Sequence, residues 1–70
     1  MNLSEAKIET ARYWIRKGHF NPSHCDVRCC VNDLTADNPR IAARGYDQDK
    51  AHRDVLRLIR SYRLIAEGVQ

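Results

Sequence analysis

Seventy residues, 43% hydrophobic and 30% charged, describe one small domain, too apolar for a disordered tail and too short to build two cores. No apolar run reaches the length of a signal peptide or a membrane span, so a cytoplasmic chain with no membrane partner is expected. A net charge of +3, with arginine outnumbering lysine nine to three, permits an anionic partner without demanding one.

In chain order, Asn2 followed three residues later by Glu5 is a variant of the capping box, and the first helix is expected from Leu3 to Lys17 with Gly18 as its stop. Ile8, Ala11 and Ile15 share one face, widened by Leu3 and Trp14; Ala6 and Tyr13 fall together away from that stripe. Glu9 and Arg12 stand three residues apart, close enough to pair. Asn21 as N-cap with Pro22 at the first helical position is a start signal for a second helix, with Phe20 placed to fold back on it as a hydrophobic staple. Val27, Cys30, Val31 and Leu34 form its inner face. The same grammar at Asn38-Pro39 opens a third helix of barely two turns, through Arg44, ended by Gly45.

The longest periodic run lies at 47–68, DQDKAHRDVLRLIRSYRLIAEG. Ala51, Val55, Leu58, Tyr62 and Ile65 recur at alternating spacings of four and three, flanked by Ile59 and Ala66, and so predict an amphipathic helix. Asp47 is its expected cap and Gly68 its expected left-handed stop. Opposite the stripe stand Arg53, Arg57 and Arg60, with Arg63 to one side; Asp49 and Asp54 lie beside them, and Asp49 is spaced to pair with Arg53. No stretch alternates as a strand does. The fold class is therefore all-α: a single helical domain over 1–70, with three main helices and one short bridging helix. The four-three spacing of the last helix also suits a coiled-coil seam, so a homodimer stands as an alternative use of that face.

The segment HFNPSHCDVRCC places His19, His24, Cys25 and Cys29 within eleven residues, all potential metal ligands. Structural zinc sites draw ligands from two separated elements, whereas these are all local and His52, the other histidine, stands alone. No metal and no cofactor are expected; Cys30 reads as an inner thiol, with Cys25 and Cys29 facing outward. An odd number of thiols on one helix does not suggest a disulfide framework. The chain has neither a phosphate-cradling glycine loop nor a serine elbow, and His24 and Cys25 point apart on a helix, so no enzyme is expected. Residues 22–46 read as helix, connection, helix, but the third helix is too short to lay several side chains along a major groove.

The functional expectation rests on the arginines. Arg40, Arg44, Arg53, Arg57, Arg60 and Arg63 are the candidate binding residues, because planar guanidinium forks suit phosphate and carboxylate oxygens. The expected role is a small basic regulatory protein that docks this face on a nucleic acid or nucleoprotein complex. The alternative is a protein–protein inhibitor or adaptor of the phage and mobile-element accessory type, which would block a host protein without touching nucleic acid.

Overall fold

The computed structural model describes residues 1–66, with the side chains of 42–44 and 66 excepted. Its helices are α1 (Leu3–Arg16), α2 (His24–Leu34), α3 (Pro39–Arg44) and α4 (Gln48–Ala66). Among the described residues there is no strand, and no helix is long and apolar enough to cross a membrane.

Local chemistry accounts for most of these boundaries. The Asn2 side chain accepts from the Glu5 amide at 2.9 Å while Glu5 accepts from the Asn2 amide at 3.2 Å, satisfying two of the free donors at the start of α1. At the other end Gly18 takes a positive φ of 74°, and the amides of Gly18 and His19 close back onto Ile15 and Trp14 at 2.9 and 3.0 Å. Asn38 accepts from the Arg40 amide to start α3, Gly45 ends it at φ 73°, and Asp47 accepts from the Lys50 amide at 3.0 Å to start α4. Gly68, the expected stop of α4, lies outside the described residues.

The start of α2 departs from expectation. Its cap is Ser23, not Asn21: Ser23 Oγ accepts from the Asp26 amide at 3.1 Å and Asp26 accepts from the Ser23 amide at 3.2 Å. This reciprocal box outcompetes the Asn21-Pro22 signal because the Pro22 carbonyl is taken by a tertiary bond from His52 Nε2 at 3.0 Å. Pro22 is thereby buried ahead of the helix rather than within it.

α1, α2 and α4 pack pairwise around one core. The Met1 amino group reaches Asp37 just past the end of α2, and Tyr46, just before α4, donates to Asn32 near the same end at 2.8 Å. Phe20, ahead of α2, meets Arg63 late in α4. α2 thus runs antiparallel to both α1 and α4, with α3 in the crossover. The arrangement is an up-down-up bundle 40 Å long and 19 Å across.

The core consists of Ala6, Ala11, Val27, Val31, Val55 and Ile59, with Ala51 also buried. Two phases shift relative to expectation. In α4 the centre of the inner face is Ala51, Val55 and Ile59, so Ile59 is central rather than flanking, while Leu58 and Tyr62 are half-buried. Ile65 is 64% exposed. The reason is length: at about 3.6 residues per turn, α4 with 19 residues outruns α1 with 14 by about one and a half turns, so its last turn overhangs. In α1 the inward residues are Ala6, Thr10 and Ala11, so Ala6 is a core residue. Small side chains sit where helices approach most closely, and Ile8 and Ile15 are pushed to the sides. Of the α4 seam that would suit a second copy, Ala51 and Val55 are packed inside this chain.

Candidate functional site

Arg53, Arg57 and Arg60 all stand on the exposed side of α4 and rise over about 10 Å of helix, given 1.5 Å per residue. Whether they form a cationic surface depends on the two carboxylates beside them. Neither turns toward the arginines. Asp49, the expected partner of Arg53, lies instead 2.8 Å from His24 Nε2 on α2. Asp54 is held by Lys7 of α1 at 2.6 Å and by Lys50 at 3.0 Å. Lys7 first and Lys50 second, by hydrogen bonding to the carboxylate, hold Asp54 down to about 2. Among the described residues Arg53, Arg57 and Arg60 therefore make no ion pair; Asp54 is paired with Lys7 and Lys50, and Asp49 bonds to the His24 ring.

The remaining sequence candidates are dispersed. The Arg63 guanidinium lies over the Phe20 ring at 4.2 Å from its centroid, a cation–π contact. Phe20 thus contacts α4. Arg40 is exposed in the first turn of α3, whose cap Asn38 donates to the Met1 carbonyl. It is therefore held at the end of the bundle where α1 begins and does not join Arg57 and Arg60. The Arg44 side chain lies outside the described residues.

Comparison of the chain with protein-family models, curated proteins and solved structures finds no match.

Three features of the site were not legible in the sequence. A groove of about 360 Å³ opens beside the arginine row, with Leu56, Ile59 and Leu64 along it, Phe20 and Asn21 opposite, and Arg60 and Arg63 at its edge. Second, His52 does not stand alone: its ring lies 5.4 Å from that of His24, which in turn contacts Asp49. Third, the His52–Pro22 bond joins α4 to the segment just ahead of α2. Each depends on the antiparallel pairing of α2 and α4, and no local spacing announces it.

Cys25 and Cys29 are exposed as expected, whereas Cys30, expected in the core, is only half-buried. The hydrogen bond with Cys25 is the main cause raising the Cys29 thiol above its ordinary 9.0, which lowers its thiolate fraction. Among the described residues no three histidine, cysteine or acidic side chains converge as a metal cage.

Proposed function

We propose that this chain is a small non-catalytic binding protein that docks the arginine face of α4 on a nucleic acid or nucleoprotein complex. The observation that carries this reading is the fate of Asp49 and Asp54. A mixed-charge helix face is ordinarily just solvated, because neighbouring carboxylates cancel its arginines. Here Asp49 bonds to His24 and Asp54 to Lys7 and Lys50, leaving Arg53, Arg57 and Arg60 without an ion pair among the described residues on the longest helix. The bundle behind the row keeps the guanidiniums at fixed helical spacing, so their Cα positions need no ordering on binding. Phosphate oxygens accept bidentate bonds from such forks.

The reading is tested by titrating the chain with a labelled oligonucleotide over a series of salt concentrations. Three phosphate contacts should give a slope of log K against log salt of about −2 to −3, since each neutralised phosphate releases counterions. Absence of binding at low salt, or an affinity indifferent to salt, would defeat the proposal and favour a protein partner.

A further inference from the structure

The groove beside Phe20 carries the reading one step further. Its walls combine an apolar side and an aromatic plane. Leu56, Ile59 and Leu64 supply an apolar side, and Leu64 is 48% exposed. Phe20 supplies an aromatic plane 40% exposed, over which the Arg63 guanidinium already lies at 4.2 Å from the ring centroid. Arg60 belongs to both the groove and the arginine row, so whatever follows the row arrives at the groove. Asn21 at the rim adds an amide that can both donate and accept.

We infer that the groove formed by Phe20, Leu56, Ile59 and Leu64 receives an unpaired base of a single-stranded nucleic acid whose phosphates lie along Arg53, Arg57 and Arg60. This rests on the phosphate-docking reading and names its substrate class. Charge complementarity selects an anion, since Arg60 stands at the groove's edge and no carboxylate lines it among the described residues. Planarity selects a base over an acidic peptide side chain: aromatic rings and guanidinium planes are the surfaces on which unpaired bases stack. A duplex keeps its bases inside, and extracting one costs several kcal/mol, so a paired strand can use the row but not the groove.

The test compares a single strand of about 12 nucleotides, within the usual span of small single-strand sites, with the duplex of the same sequence. DNA and RNA versions of the single strand are run side by side. The single strand is expected to bind at least about tenfold more tightly, and Phe20→Leu, which keeps apolar bulk but removes the plane, should cut its affinity by about tenfold while leaving the duplex unchanged. Phe20→Tyr should retain wild-type affinity. Circular dichroism of each variant confirms the fold. If strand and duplex bind equally and Phe20→Leu alters neither, this inference falls while phosphate docking stands. If neither binds, both fall. Preference for an acidic, leucine-bearing peptide over the single strand would also overturn it.

Discussion

Lys7 and Asp54 join the first and last helices across 47 residues of sequence, with Nζ and Oδ2 2.6 Å apart and both side chains mostly covered. The pair ties α1 to α4 and, in doing so, engages with lysine a carboxylate that lines the same groove as Arg57. Stability and the charge of the candidate interface are therefore linked through one contact.

That link has a pH signature. Asp54 is lowered from 3.8 to about 2 in the folded chain, chiefly by Lys7. A depressed folded value means the unfolded chain binds the proton more readily, so the contribution is complete above the ordinary carboxylate value and is lost as pH falls through the window from about 4 to about 2. Asp37, lowered by its bond to the Met1 amine, acts in the same direction. Comparison with Asp54→Asn isolates the Asp54 part. Urea melts at pH 5, 3 and 2 should show wild type losing more stability than Asp54→Asn over that range. Parallel losses would mean the pair contributes nothing.

The core makes a sharper demand. Ile59 is 1% exposed, whereas Leu58 is only half-buried. Ile59→Ala is expected to cost about 2–5 kcal/mol, comparable to the whole stability of roughly 3–5 kcal/mol typical of so small a domain. Leu58→Ala should cost distinctly less. Thermal melts of the two variants check the order; the reverse ranking would place the α4 face one residue out of phase.

Thr10 offers the opposite sign. Its side chain is fully buried, and its hydroxyl has no hydrogen-bond partner among the described residues. Valine has the same branched shape without the polar atom. An unsatisfied buried hydroxyl costs about 1–3 kcal/mol, so Thr10→Val should raise the melting temperature. A lower melting temperature would show that the hydroxyl is bonded after all.

On the interface itself, Arg57 and Arg60 are exposed and unpaired among the described residues. The double reversal Arg57→Glu with Arg60→Glu should leave the helical circular dichroism signal intact, with stability within about 1 kcal/mol of wild type, because each exposed substitution usually changes it by about 0.5 kcal/mol or less. Oligonucleotide binding should be lost. Undiminished binding by the folded double variant would move the contact surface elsewhere, with exposed Tyr13 on α1 the first place to look.

What the sequence determined by itself was whatever rests on neighbours a few residues apart. Caps at Asn2, Asn38 and Asp47, the stops at Gly18 and Gly45, the helical class and the outward direction of Arg53, Arg57 and Arg60 all follow from spacing and turn chemistry. Tertiary structure decided wherever a side chain had a choice of partners. Asp49 had Arg53 one turn away and took His24; Pro22 had a helix to begin and gave its carbonyl to His52; Phe20 turned to Arg63. The same holds for the inner face of α1, where hydrophobicity pointed to Ile8 and Ile15 but close approach of the helices selected Ala6, Thr10 and Ala11. A periodic pattern locates a buried face only to within the width of a broad apolar stripe. The residue at its centre, and the charge left on its back, depend on where the other helices come to lie, because packing and ion pairing are contacts between elements that no local spacing encodes.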